Sequence, residues 1–162
     1  MTCMAHGLRR AAAGAVIALA AVAPQAWAAA ARDCFDEAAA YHGVSATILR
    51  AIAKVESNFQ PDALGRNSNG SLDIGLMQIN SIHLKELGRW GIGAPHLGDA
   101  CISIYVAAWH YRRQIDRWGN TWLAVGAYHS ATPVYRDAYI GRVQGVLAGW
   151  LRESAGLDRA RQ

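Results

Sequence analysis

Residues 62–80 interrupt an otherwise helical chain, and that interruption decides which folds are open to it. The stretch holds the turn-forming run Asn67-Ser68-Asn69-Gly70, and from Leu72 to Ile79 apolar and other residues alternate loosely. Turn formers followed by a two-residue period mark a hairpin, so a small two- or three-stranded hairpin is expected. On both sides the period is helical. A short helix over about 33–42 stops at Gly43, and Ser45 caps the next one, which carries Ile48, Leu49, Ile52 and Val55 on one stripe. That helix ends near Ser57, since Pro61 forbids much continuation. After the insert, a short helix follows Ser81 and stops at Gly88. Asp99 caps a longer helix to Trp118, with Ile104, Ala108, Tyr111, Ile115 and Trp118 as its buried stripe. Asn120 is read as the cap of a further helix carrying Trp122, Leu123 and Val125. Thr132-Pro133 opens the last helix, which runs to about Trp150 and buries Tyr139, Val143, Val146 and Leu147. Residues 152–162 are polar and read as a frayed tail. The expected class is mainly α with a small β-hairpin insert (α+β).

The first residues lie outside that fold. Arg9 and Arg10 precede an apolar run from Ala11 to Ala23, and Ala26-Trp27-Ala28 places small residues where a signal peptidase reads them. The run falls short of the roughly 20 apolar residues a spanning helix needs, and Pro24 breaks it. Residues 1–28 therefore read as a signal peptide cleaved before Ala29. Residues 29–162 form a single domain with no stable membrane span, placed in the periplasm or secreted. Removing Arg9 and Arg10 lowers the net charge from +4 to +2. So mild a balance gives no reason to invoke nucleic acid.

Of three cysteines, Cys3 leaves with the leader. Cys34 and Cys101 remain, an even pair in an exported chain, and a disulfide is the economical reading. Closing about 67 residues, it contributes roughly 4 kcal/mol in the chain-entropy account. The other reading is a pair of buried thiols. No CxxC occurs, and the histidines show no metal-ligand spacing, so no metal site is expected.

Two carboxylates carry the chemistry. Ile48, Ile52 and Glu56 are spaced by four, which places Glu56 on the apolar stripe. It also occupies the last helical turn, beside the negative end of the helix dipole. Burial and the dipole both disfavour the anion and raise the pKa. A carboxylic acid still protonated near neutrality can protonate a glycosidic oxygen. The same spacing suits a glutamate at the stripe's edge turned into water, and the helix alone does not separate the two. Asp73 follows 17 residues later. A helix-end acid facing a strand-borne carboxylate makes a glycosidase pair; a turn aspartate bonding its own backbone is the alternative.

Glu56-Ser57-Asn58-Phe59, then Asn67 to Ser71, then Asp73-Ile74-Gly75-Leu76-Met77-Gln78-Ile79-Asn80-Ser81 resembles the lysozyme superfamily. More closely, it is similar to lytic transglycosylases of the SLT type that accompany specialised secretion, conjugation and pilus systems. The resemblance covers roughly residues 33–150. It implies a lysozyme-like fold with Glu56 as the catalytic acid/base and Asp73 as a secondary candidate. It further implies that the segment with Met77, Gln78 and Asn80 lines the sugar cleft, and that Tyr128 lies near the acid. Where the family's third motif reads Ala-Tyr-Asn, this chain has Ala127-Tyr128-His129. One imidazole nitrogen cannot both donate and accept as an amide can. His129 reads as a polar cleft-wall residue rather than a new base, and Tyr128 as a cleft residue or a core aromatic. Trp109, Trp118, Trp122 and Trp150 fall on helical stripes, where core packing is the default. Trp90, in a loop near the expected cleft, is the tryptophan to test for sugar contact.

The implied substrate is the glycan strand of peptidoglycan, and the implied reaction closes the muramic acid 6-hydroxyl onto C1 with no cofactor or metal. A secretion, conjugation or pilus apparatus is the implied partner. Two rivals stand beside this reading. One is a hydrolase using Glu56 and Asp73. The other is a wall-binding, non-cutting component of a secretion apparatus.

Overall fold

The structure is a computed structural model that describes residues 34–160. The expected signal peptide (1–28), its cleavage before Ala29 and residues 161–162 lie outside the described residues.

Helix α1 occupies 34–42 and turns at Gly43 into α2, Ala46–Ser57. Ser45 caps α2 as expected, its hydroxyl accepting from the Ile48 amide. Leu49 and Ile52 are fully buried, while Ile48 and Val55 pack partly against the core. Asn58, with a left-handed φ of 54°, ends the helix and returns its N–H to Ala53 and Lys54.

The insert folds into three antiparallel strands in the order β1 (Leu64–Arg66), β2 (Leu72–Ile74), β3 (Ile79–Asn80). Gly65 pairs with Asp73, and Asp73 with Asn80, so Asp73 lies in the central strand. Asn67 and Gly70 close the β1–β2 turn. A 3-10 turn (Ser81–His83), α3 (Leu84–Leu87) and a second 3-10 turn (Gly88–Trp90) follow, where one short helix was expected. A third 3-10 turn, Ala94–Gly98, leads into α4, Ala100–Trp118. Asp99 caps α4 through the Ile102 amide. The core gathers around this helix, with Ile104, Ala108 and Tyr111 at or below 1% exposure.

Helix α5 is Trp122–His129, and its N-cap is Thr121 rather than the expected Asn120. The Thr121 hydroxyl bonds backward to the Trp118 carbonyl instead of forward into α5. Trp122 is 41% exposed at the helix start, so its expected burial does not occur. Helix α6 is Pro133–Ala160, extending past Trp150, where its apolar stripe ends. Residues 151–157 are helical but exposed; strong helix formers such as Leu151, Arg152, Glu153 and Ala155 continue the helix without tertiary support. α5 packs closely on α6: a Cβ added at Gly126 would lie 2.5 Å from Arg136 Cγ. No helix among the described residues is long and apolar enough to cross a membrane.

Cys34 on α1 and Cys101 on α4 are joined by a disulfide, their Cα atoms 5.4 Å apart. We therefore expect the mature chain (residues 29–162, without Cys3), denatured and unreduced, to take up no alkylating reagent. Uptake at both cysteines would show that the bond does not form.

Candidate active site

The space between the sheet and α5 forms a cleft of about 700 Å³. Glu56 and Asp73 both line it, with Asn67, His110, Tyr128 and His129 among the other walls.

Glu56 reaches the cleft from the last turn of α2. The Tyr139 hydroxyl, on α6, donates to its Oε1 at 2.6 Å. Burial is the largest influence on the acid and pushes its pKa up to about 7. The Tyr139 hydrogen bond and the Arg142 charge act against burial, while the negative field of Asp73 adds to it. The carboxyl is thus protonated in a large fraction of molecules near neutrality while still touching a cleft. Tyr139 itself resists ionisation, first through burial and then through Glu56, so it remains a donor. Its ring stacks on His129, 4.8 Å between centroids and 4° from parallel. The Arg142 guanidinium lies 5.0 Å from the Tyr139 ring centroid. Sequence periodicity assigns Tyr139 to the core, and it is fully buried; only its hydroxyl belongs to the site.

Asp73 is held differently. Asn67 Nδ2 donates to Oδ2 at 2.9 Å, and Asn80 Nδ2 donates to Oδ1 at 2.7 Å. Both carboxylate oxygens are engaged by neutral amides, an arrangement that fixes a charge in place. Asn80 is fully used by the protein: it also donates to Ser71 Oγ, and its oxygen accepts from the Ile82 amide. Asn80 therefore lines the cleft chiefly as a brace for Asp73. Gln78 also lines the cleft, but its amide nitrogen donates to the carbonyls of Ala63 and Gly75.

Met77 lies beneath the cleft rather than on its surface. Its side chain is fully buried and is not among the lining residues. Its backbone is what serves the site: the N–H donates to the buried Ser103 hydroxyl, and the carbonyl accepts from Tyr128 at 2.9 Å. Tyr128 is thus both a core aromatic and a cleft wall, with its hydroxyl committed. Burial above all, with the negative charges of Glu56 and Asp73, keeps the Tyr128 hydroxyl protonated.

Besides the Tyr139 hydroxyl, two further contributions were not read from the sequence. Ser57, directly after the acid, donates to the Leu76 carbonyl at 2.7 Å and accepts from the Gln60 amide. It ties the end of α2 to the β2–β3 turn, so the acid and the sheet are positioned by one hydroxyl. His83 and His110 line the far part of the cleft, with ring centroids 4.8 Å apart. Burial pushes the His110 pKa down to about 4, so its ring is neutral. His110 Nε2 then donates to the Tyr128 carbonyl at 3.1 Å. Among the described residues, no group of three His, Cys, Asp or Glu is arranged to hold a metal ion.

A buried acid at a helix end, sharing a cleft with a three-stranded sheet in a mainly helical domain, defines a lysozyme-like protein. Residues 33–138 match the family described as transglycosylase SLT domain, and the chain belongs to that family. It is 43% identical over 106 residues to "Invasion protein IagB" of Salmonella typhimurium, covering 65% of this chain and 66%, about two thirds, of that relative's length. It is 39% identical over 125 residues to "Protein IpgF" of Shigella flexneri, covering 76% of this chain and 82% of that protein. It is 36% identical over 134 residues to "X polypeptide" of Escherichia coli, covering 78% and 79%.

Proposed function

We propose that this chain is a peptidoglycan lytic transglycosylase that cuts the β-1,4 bond between N-acetylmuramic acid and N-acetylglucosamine. The observation that carries the reading is Glu56: a largely buried carboxyl with a pKa of about 7, held by the Tyr139 hydroxyl at the wall of a cleft. In its protonated form Glu56 gives its proton to the bridging oxygen, and the bond from that oxygen to the muramic acid C1 breaks. The glucosamine leaves with a free hydroxyl. Glu56, now a carboxylate, takes the proton from the muramic acid 6-hydroxyl, whose oxygen bonds to C1. The product is a 1,6-anhydro sugar, and Glu56 ends protonated as it began. The nucleophile is tethered to the reacting ring, which supplies the advantage of proximity.

Asp73 lines the same cleft as Glu56. Amide hydrogen bonds to both oxygens orient the Asp73 carboxylate at the cleft wall; a carboxylate so held can serve as a hydrolase's nucleophile or as a charge stabiliser, and the product distinguishes the two. Asp73 fits the role of a fixed negative charge facing the developing positive charge at C1. Digestion of purified peptidoglycan followed by mass measurement tests the proposal. Anhydro ends support it; products heavier by one water per cut establish a hydrolase, and no cutting establishes a wall-binding protein. Asp73→Asn is expected to reduce the rate less than Glu56→Gln and to leave the anhydro product unchanged. A folded Asp73→Asn chain as inactive as Glu56→Gln would contradict that assignment.

The cellular reading follows as part of the same proposal. The amino-terminal pattern directs export to the periplasm or beyond, and the Cys34–Cys101 bond is of the kind that persists in oxidising compartments. The proposal extends to local wall opening for a secretion, conjugation or pilus apparatus; one similar protein is named for invasion. Fractionation of the producing cell, with the size of the mature chain, tests the location.

A further inference from the structure

Aromatic rings continue the cleft beyond the residues that line it. Tyr128, below the acid, is followed by His110 at 5.1 Å between centroids and His83 at 4.8 Å. Trp109 lies 6.2 Å from His83, and Trp90 lies 5.5 Å from Trp109. The first three rings line the cleft; the last two lie outside it. Core packing accounts for Trp109, which is partly buried on α4. It does not account for Trp90, which is 58% exposed.

Trp90 is nevertheless held firmly. It ends the 3-10 turn Gly88–Trp90, which Gly91 closes, and its ring meets Trp109 nearly at right angles, at 77°. Trp109 is itself fixed by the Arg113 guanidinium, 4.8 Å from its centroid. Arg113 in turn is anchored to Glu86 of α3 at 2.8 Å. An indole braced from one side, at the end of a ring track leading out of a polymer-cutting cleft, is a preorganised flat surface. A pyranose ring presents one face of C–H groups, which suits the electron-rich face of an indole, while its hydroxyl rim remains in water. We propose that Trp90 forms an outlying glycan subsite, stacking a sugar beyond the four that a tetrasaccharide places across the scissile bond. The inference rests on the glycan-cutting reading above, and it adds a preference for long strands.

The test is binding rather than turnover, so it does not depend on the reaction. Glu56→Gln protein, with and without Trp90→Ala, is titrated with peptide-free glycan tetrasaccharide and with long peptide-free strands, and affinity is read by calorimetry. Trp90→Ala is expected to weaken binding of long strands about tenfold and to leave tetrasaccharide binding unchanged, with Trp90→Phe recovering most of the loss. Equal affinity of both proteins for long strands would overturn the subsite. So would an equal loss on both ligands, which marks a disturbed cleft. If neither protein binds any glycan, the glycan-cutting reading fails and the subsite with it. If binding is strand-length dependent but wild-type protein cuts nothing, the subsite stands and only the proposed reaction falls.

Discussion

Glu56→Gln is expected to lower peptidoglycan cleavage by at least ~10²-fold, because it keeps the side-chain shape and removes the proton that the reaction transfers. The same substitution has a pH signature of its own. The folded-state pKa of Glu56 is about 7 against an ordinary 4.5. Below the lower value both folded and unfolded chains hold the proton, and the group has no effect on stability. As pH rises from 4.5 to 7 the unfolded chain releases a proton that the folded chain keeps, so stability falls across that window. Above 7 the loss is complete, and it corresponds to roughly 3 kcal/mol. Glutamine does not titrate. The Glu56→Gln protein is therefore expected to melt higher than wild type at pH 8, with the advantage vanishing at pH 4. Wild-type activity should decline as pH rises through 7, because the proton donor is lost. A variant with near-full activity, or melting curves that differ equally at both pH values, would remove Glu56 from this role.

Much of this site was legible in the sequence because its parts are local. Ser45 and Asp99 cap their helices as their positions predict, and Gly43 and Gly119 end the segments before them. Glu56 falls on its stripe through the four-residue spacing from Ile48 and Ile52, and that placement is what buries it. The parts that were not legible are set by contacts across the chain. The Tyr139 hydroxyl meets Glu56 across 83 positions, and nothing in the α6 period separates a core tyrosine from a donor to the acid. Met77, Gln78 and Asn80 occur together in the motif, yet their side chains take different roles: one buried, one bonding backbone, one bracing Asp73. Met77 and Gln78 lie in the turn between β2 and β3, Gln78 with a left-handed φ of 48°, and only Asn80 is in a strand, so the fold of that turn sets which side chain is buried. The end of α6 was missed for another reason: burial stops near Trp150, but helix propensity does not.

The largest stability effect is expected at Gly75, the residue on which the sheet is pressed against the helices. Its φ is +77°, and a Cβ placed there would lie 1.9 Å from the Leu97 carbonyl oxygen and 3.2 Å from Ser103 Oγ. The first obstacle is backbone in the Ala94–Gly98 turn, which has no rotamer to yield. Gly75 also donates its N–H to the Ala63 carbonyl and accepts from Gln78 with its own, so it cannot move aside without opening β1 from β2. Around it, Leu76 accepts from Ser57, and Met77 bonds to Ser103 and Tyr128. One tight turn thus joins α2, α4 and α5 beneath the cleft, and a shift there moves the acid and Asp73 apart. Gly75→Ala is expected to cost about 3–5 kcal/mol and lower the melting temperature by roughly 10 °C or more. Gly70 supplies the control. Its φ is +84°, yet an added Cβ would have nothing within 4 Å. Gly70→Ala carries only the left-handed backbone cost of about 1–2 kcal/mol, so its melting temperature should lie well above that of Gly75→Ala. If the two variants melt together, the close approach to Leu97 does not hold the sheet, and the positioning of Glu56 against Asp73 must come from elsewhere in the fold.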